Sequence, residues 1–378
     1  MKKLKYAAIP LLLASTGALA QSSVTLYGLI DEGVDYTNNV GGRSNWEMQS
    51  GYAQGSRWGL KGAEDLGGGL QAIFQLESGF DVNTGALGQA QRAFGRQAFV
   101  GLQSATLGTV TFGRQYDSMV DYVGPLTANG NWGGYLFSHP LDNDNTDDSF
   151  RLNNAVKYTS NTYGGFQFGG LYGFSNQAGG FANNRTYSLG AQYTGGAVSV
   201  AASYMLINNP GANNSGALAT DDTTFVATRQ RVWGGGINYT VAAATFGFVY
   251  THTDLNNPAG SSYIGNFATV PDTLKFDNFE LNAKYQFTPA FYAGAMYTFT
   301  EAKFNTGAGT AKPKWNQFGL MADYNLSKRT DVYVQGVYQK LSGGTTGTTL
   351  DTAFIPGADA PSSNASQLVA RVAIRHQF

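Results

Sequence analysis

Residues 370–378 read ARVAIRHQF and close the chain. Ala370, Val372 and Ile374 alternate with Arg371, Ala373 and Arg375, and the last residue is the aromatic Phe378. Successive side chains of an extended strand point to opposite faces, so this ending gathers apolar bulk on one face and both arginines on the other. The same period of two recurs upstream. Phe279, Leu281, Ala283, Tyr285 and Phe287 alternate with Glu280, Asn282, Lys284 and Gln286. Phe318, Leu320, Ala322, Tyr324 and Leu326 alternate with Gly319, Met321, Asp323 and Asn325. Repeated with no helical pattern between, such segments describe a closed sheet with lipid outside and water inside. Only closure leaves no strand edge unpaired within a membrane.

Each apolar face is about five residues long, which suits strands of ~9–11 residues crossing a bilayer at ~45°. Tyr and Phe collect at the strand ends, as at a lipid–water interface. Sixteen segments are expected, starting near 24, 54, 70, 92, 108, 151, 165, 186, 197, 230, 244, 278, 290, 315, 331 and 366. Short turns such as 66–68, 105–108, 194–196, 288–290 and 327–329 alternate with long polar stretches at 81–91, 117–150, 208–228, 255–276 and 343–365. Short turns on one rim and long loops on the other are the asymmetry of an outer-membrane barrel, and an even strand count puts both termini on the short-turn, periplasmic side. The fold expected over 21–378 is an all-β, 16-stranded antiparallel transmembrane β-barrel. A soluble β-sandwich would also alternate, but it would bury its apolar faces and carry more surface charge.

The first twenty residues stand apart. Lys2, Lys3 and Lys5 precede an apolar run from Ala7 to Ala14, and Ala18-Leu19-Ala20 is a small-x-small cleavage site. This reads as a secretory signal peptide, its apolar run well short of a spanning helix. Its removal takes three lysines and no acid, so 24 basic against 25 acidic residues become 21 against 25. Neither a basic surface for nucleic acid nor a polyanionic one remains. Charged residues are 13% of the chain, about half the usual ~25% of a soluble domain. The absence of cysteine excludes thiolate catalysis and zinc–thiolate sites.

Three stretches resemble the general, diffusion-type porins of Gram-negative outer membranes, most closely their β-proteobacterial branch. They are SVTLYG (23–28), GSRWGLKGAEDLGGGLQAIFQLE (55–77) and FGRQAFVGLQSATLGTVTFGRQYDS (94–118), together with the terminal Phe378. The resemblance spans the mature chain and is densest in its first third. It implies a homotrimer in the cell outer membrane, a third extracellular loop folded into the lumen, and a Phe378 read by the barrel-assembly machinery. The partners it implies are a second copy of the chain, outer-membrane lipid and lipopolysaccharide, and the ions and small hydrophilic solutes that pass.

In that family a basic ladder on the wall faces acids on the inward loop. Motif matches carry the ladder to Arg57, Arg114 and Arg151. Parity separately turns Arg57 and Lys61 inward if Trp58 and Leu60 face lipid, and Arg371 and Arg375 inward if Phe378 points out. It also turns Arg151 and Lys157 inward opposite Leu152, Val156 and Tyr158. Arg114 shares the parity of Phe112, so a bulge or a subunit contact must intervene there. The loop zone VGPLTANGNWGG (123–134) lacks the acidic tip common in the family, which leaves Asp117 and Asp121 as the candidate acidic pole. Gly130, Gly133 and Gly134 would give an infolded loop its hinges. Inward basic residues Arg57, Lys61, Arg151, Lys157, Lys284, Arg371 and Arg375 outnumber Asp31, Glu77, Glu280 and Asp323. A narrow hole with low-dielectric walls focuses that imbalance into a weak anion preference.

No catalytic constellation and no cofactor motif stands out. The run 142–147, DNDNTD, starts like a calcium loop but lacks its glycine and its twelfth-position glutamate; it leaves room only for a loose divalent site. His139, His252 and His376 are each alone in sequence. The function expected is passive diffusion of ions and small hydrophilic solutes. The alternatives are a substrate-specific channel, which would need inward aromatics or a lysine cluster, and an adhesion protein working through its long loops.

Overall fold

The ending of the chain forms a seam with its beginning. The computed structural model describes residues 23–378. The strand Ser366–Gln377 runs antiparallel to Ser23–Val40, with Gln377 opposite Leu29 and Val369 opposite Thr37. Phe378 and Gly28 exchange main-chain hydrogen bonds of 3.0 and 3.3 Å. The expected signal peptide, 1–20, lies outside the described residues.

Between these strands the chain winds steadily round. β1 is Ser23–Val40; β2 is Arg43–Ser50, resuming as Arg57–Gly67; β3 is Leu70–Gly79; β4 is Gln97–Ser104; β5 is Gly108–Gln115. β6 (Leu152–Thr159), β7 (Phe166–Gly173), β8 (Thr186–Gly195), β9 (Val198–Asn208) and β10 (Arg229–Val241) follow. β11 (Ala244–Asn256), β12 (Thr273–Thr288), β13 (Phe291–Thr306), β14 (Pro313–Asn325), β15 (Thr330–Gly343) and β16 (Ser366–Gln377) complete the circle. Every sequence neighbour is an antiparallel partner, and β16 closes on β1. This is a 16-stranded antiparallel barrel.

The outward rows are those expected. Phe279, Leu281, Tyr285 and Phe287 are exposed while Glu280 and Asn282 are buried; Phe318, Leu320 and Tyr324 are exposed while Met321 and Asp323 are buried. Three strand starts differ from expectation: β2 begins at Arg43, β4 at Gln97 and β12 at Thr273. β2 is broken because residues 51–56 leave the wall and turn inward, tied back by Gln54 N to Asp31 Oδ2 (2.9 Å) and Ser56 Oγ to Asp31 O (3.1 Å).

Residues 116–151, between β5 and β6, run as short helical turns along the inner wall. Ala128 N donates to Glu280 Oε1 on β12 (2.7 Å), Gln317 on β14 donates to Ser138 O (3.0 Å), and Gln335 on β15 donates to Gly133 O (2.5 Å). Several inward positions of these strands are apolar for the same reason. Met205, Val232 and Val249 pack against Met119, Val123 and Leu126 of this segment, and Met296, Met321 and Val337 lie in one cluster with Trp132, Leu136 and Phe137. Of the expected hinge glycines only Gly134 has positive φ (72°), and a Cβ there would meet Tyr52 O at 2.1 Å. Gly130 and Gly133 sit inside a helical turn, where close packing rather than freedom of φ requires them.

Candidate functional site

What the interior segment leaves open is a cavity of about 1080 Å³. Its basic lining residues are Arg57, Arg96, Arg151, Lys284 and Arg375; its acidic ones are Asp147, Asp148, Asp221 and Asp222. Three guanidinium groups converge at one place. Arg96 donates from Nε to Glu77 Oε1 (2.9 Å) and from Nη2 to the Tyr116 hydroxyl (2.9 Å) and Asp148 Oδ2 (3.3 Å). Arg151 donates to the same hydroxyl (3.4 Å) and to Asp148 Oδ1 (2.6 Å), with its guanidinium 5.1 Å from the Tyr116 ring centre. Arg57 reaches Glu77 Oε1 at 4.0 Å and donates to Gly55 O (2.7 Å). Three cations share two carboxylates, so the cluster keeps an excess positive charge beside the open water.

The loop acids do not restore the balance. Burial, reinforced by Asp142 and Asp148, pushes the Asp147 carboxyl well above the usual range, which favours its neutral form. Arg96 and Arg151 stay charged: burial opposes their charge, but Tyr116, Asp148 and Glu77 outweigh it for Arg96, and Asp148 with Tyr116 for Arg151. On the wall below, Arg375 pairs with Asp331 (3.1 Å) and lies 3.8 Å from Asp323. Lys284 sits 4.0 Å from the Tyr292 ring centre, with no ion pair among the described residues.

Of the expected lumen residues, Arg57, Arg151 and Arg375 line this cavity. The others are placed elsewhere, each for a physical reason. Arg371 is sealed in the wall, bonded to Asp35 Oδ1 (2.7 Å), Asp31 Oδ1 (3.2 Å) and the Tyr333 hydroxyl (3.0 Å), with the Tyr52 ring 4.6 Å away. Arg114 follows a bulge at Gly113, whose φ is 136°, and is used up by Asp222 (2.6 Å) and Gly95 O (2.7 Å). Lys157 is paired with Asp121 and donates to Tyr116 O (3.0 Å), so both fasten the loop to the wall. Asp117 faces inward on its own loop, accepting from Met119 N and Asn145 Nδ2 (both 2.6 Å), and forms no acidic pole. Lys61 is exposed outside the cavity lining, its ammonium 5.2 Å from the Tyr27 ring centre.

Parity failed where the chain leaves the strand. Arg96 shares the parity of Ala98, Val100 and Leu102, which would have turned it to lipid; β4 starts only at Gln97, so the rule does not reach it. Leu152 is fully buried although parity sent it outward, because Asn154 (φ 52°) introduces a bulge that shifts the β5–β6 register. Inward aromatics also proved less sparse than the sequence suggested: Tyr52, Trp132, Tyr135, Tyr263 and Tyr292 border the cavity.

Two carboxylates of the 142–148 run, Asp142 and Asp144, are committed to protein donors, and Asp148 to Arg96 and Arg151. Asp142 accepts from the Asp147 and Ser149 amides (3.1 and 3.2 Å), and Asp144 binds His139 Nδ1 (2.6 Å) and the Thr251 hydroxyl (2.5 Å). Among the described residues no group of His, Asp or Glu is arranged to hold a metal ion.

Comparison with known proteins points the same way as the geometry. A family model described as Gram-negative porin matches residues 7–344. An outer membrane porin protein of Bordetella pertussis is 35% identical over 381 residues, 90% of this chain and 94% of that one. Outer membrane porin protein 32 of Delftia acidovorans is 29% identical over 390 residues, covering 98% of each chain. Among solved structures, an anion-selective porin from Comamonas acidovorans has a TM-score of 0.73 at 23% identity, covering 95% of this chain and 100% of that one, a likeness of fold. The trimer form of an outer membrane protein of Vibrio cholerae has a TM-score of 0.66 at 15% identity, covering 94% of this chain and 99% of that one.

Proposed function

Because this chain belongs to the Gram-negative porin family, we propose that the channel it forms in the outer membrane passes small hydrophilic solutes with a preference for anions. The general activity is that of a non-enzymatic porin. The anion preference is carried by one observation: Arg57, Arg96 and Arg151 converge on only Glu77 and Asp148. Fixed positive charge beside a narrow aqueous path raises the local concentration of anions and repels cations. The loop 116–151 forms the constriction in this reading, and its chain of anchors to β12, β14 and β15 supports it. The protein works as a homotrimer, supported by the family and by the trimer form of the Vibrio cholerae structure. Phe378, fixed against Gly28 at the seam, serves as the assembly signal, and residues 1–20 as the export signal.

The test is single-channel current in planar bilayers with uncharged solutes of rising size. A general porin gives ohmic current and smooth size exclusion. Saturable block by one solute would favour the substrate-specific channel instead, a reading to which the aromatic lining gives some physical basis.

A further inference from the structure

The three arginines at the cavity form only one arc of a closed ring of contacts. Asp148, held by Arg96 and Arg151, is followed by Ser149, whose Oγ lies 2.7 Å from the Tyr263 hydroxyl. The Tyr135 hydroxyl donates to that of Tyr263 (3.4 Å), and the Tyr135 ring meets the Tyr52 ring edge-on, with 5.6 Å between centres. The Tyr135 amide donates to Tyr52 O (2.7 Å). From Tyr52 the inward turn 51–56 leads back to Arg57 and so to the arginine cluster. Every one of these residues lines the cavity. One arc of the ring is guanidinium and the other is tyrosine.

The guanidinium arc has donors to spare. Arg57 is fixed through Nε to Gly55 O (2.7 Å) and approaches Glu77 only to 4.0 Å; among the described residues neither of its Nη atoms donates a hydrogen bond. Nη1 of Arg96 and of Arg151 likewise meets no acceptor there, and Nε of Arg151 is buried without one. A Cβ on Gly55 would stand 2.9 Å from Arg96 Nη1 and 4.0 Å from Arg57 Nη2, so the glycine keeps open a place that both guanidinium groups reach. The tyrosine arc differs, because its hydroxyls are committed: Tyr52 to Gly357 O, Tyr135 to Tyr263, and Tyr263 to Ser149. What Tyr135 and Tyr263 leave to the cavity is ring surface, their other sides being packed on the apolar cluster that holds Trp132 and Leu136.

We propose that this ring is a weak binding site for aromatic carboxylates, with the carboxylate on the arginine arc and the planar ring against Tyr135 and Tyr263. The inference rests on the anion-passing reading above and names the class of anion that the channel favours. A carboxylate accepts parallel N–H bonds from a guanidinium fork, and an aromatic ring gains from offset or edge-on contact with another. A sugar acid would need donors and acceptors around each of its hydroxyls, and the tyrosine hydroxyls are already used. Binding of this kind is brief. Chloride and uncharged solutes still pass, so ohmic current and smooth size exclusion are kept.

The experiment measures block of KCl current through the reconstituted full chain by three compounds. They are benzoate; cyclohexanecarboxylate, which has the same charge and nearly the same size; and benzyl alcohol, which keeps the ring and lacks the charge. Benzoate should block saturably in the millimolar range, about tenfold more tightly than cyclohexanecarboxylate, and benzyl alcohol should not block at the same concentrations. Tyr135→Leu/Tyr263→Leu should bring the two acids together, whereas Tyr135→Phe/Tyr263→Phe should keep them apart, since the hydroxyls are not used. Arg57→Gln should weaken both acids alike. Equal block of the wild type by the two acids, or block by benzyl alcohol as strong as by benzoate, overturns the proposal whether or not the variants fold. So does a folded leucine variant that keeps the tenfold preference, or an Arg57→Gln channel that binds benzoate undiminished. A wild type whose zero-current potential has the sign set by chloride but which does not prefer benzoate defeats this inference alone; a potential of the sign set by potassium defeats the reading beneath it.

Discussion

His139 Nε2 lies 3.2 Å from Glu280 Oε2, so an imidazole of the interior loop meets a carboxylate of β12 that is 141 positions away in sequence. Both side chains are fully buried, and Asp144 holds the other ring nitrogen at 2.6 Å. Glu280 also accepts the Ala128 amide and the Asn282 side chain, both at 2.7 Å. One strand residue thus fastens the interior loop to the wall. Glu280→Ala leaves the Ala128 amide and one nitrogen of His139 without their acceptor, while Asp144 still balances the ring's charge, at a cost of about 1–3 kcal/mol for each buried donor. The expected result is noisier open-channel current and a lower unfolding temperature, both read on the reconstituted variant.

The same cluster sets a dependence on alkali. Burial opposes charge on His139, but Asp144 and Glu280 outweigh it and raise the ring from 6.5 to about 10. A raised histidine contributes its full stabilisation below 6.5, loses it progressively as pH rises through that window, and contributes nothing above about 10. Current noise should therefore grow between neutral pH and about pH 10 in the wild type. In His139→Asn that growth should be absent, which a pH series on both proteins checks.

Two arginines that sequence parity treated alike or missed should differ in their effect on selectivity. Arg96→Gln removes a cation from the cavity wall and should shift the zero-current potential in a salt gradient towards cations, together with a loss of stability because the buried Glu77 keeps only Arg57, at 4.0 Å, as a cationic partner. Arg371→Ala leaves Asp31 and Asp35 unpaired in the wall and should cost about 3–5 kcal/mol. Its zero-current potential should stay where it is. Reversal potentials on the two variants separate the roles, and chemical unfolding measures the loss of stability in each.

The lipid-facing row has its own test. Leu281 stands exposed midway along the outward face of β12, so Leu281→Arg should destabilise the folded barrel in lipid by ~2–4 kcal/mol. Gln286→Arg, on the inward face of the same strand, should cost far less. Denaturant titrations in vesicles give both numbers.

How legible all this was in the sequence depended on whether the chain stayed in register. Where it did, as along Phe279–Phe287 or Phe318–Leu326, alternation alone separated lipid from lumen. Inward parity, however, says only that a side chain leaves the lipid. It cannot tell Arg57, which borders water, from Arg371, which is consumed by Asp31 and Asp35 on the adjacent strand. That pairing joins residues more than 300 positions apart and is invisible to local pattern. Arg96 escaped because it lies one residue before its strand, and Arg114 and Leu152 because bulges at Gly113 and Asn154 re-aim them. The loop anchors were hidden for a related reason: inward Met205, Met296 and Met321 read as exceptions to a polar lumen until a segment from elsewhere covers them.

Charge selection at the arginine cluster is tested most directly by the zero-current potential of the reconstituted channel across a KCl gradient. The excess of Arg57, Arg96 and Arg151 over Glu77 and Asp148 predicts a potential of the sign set by chloride, collapsing towards zero when all three arginines are replaced by glutamine. A potential of the sign set by potassium in the unmodified channel would contradict it.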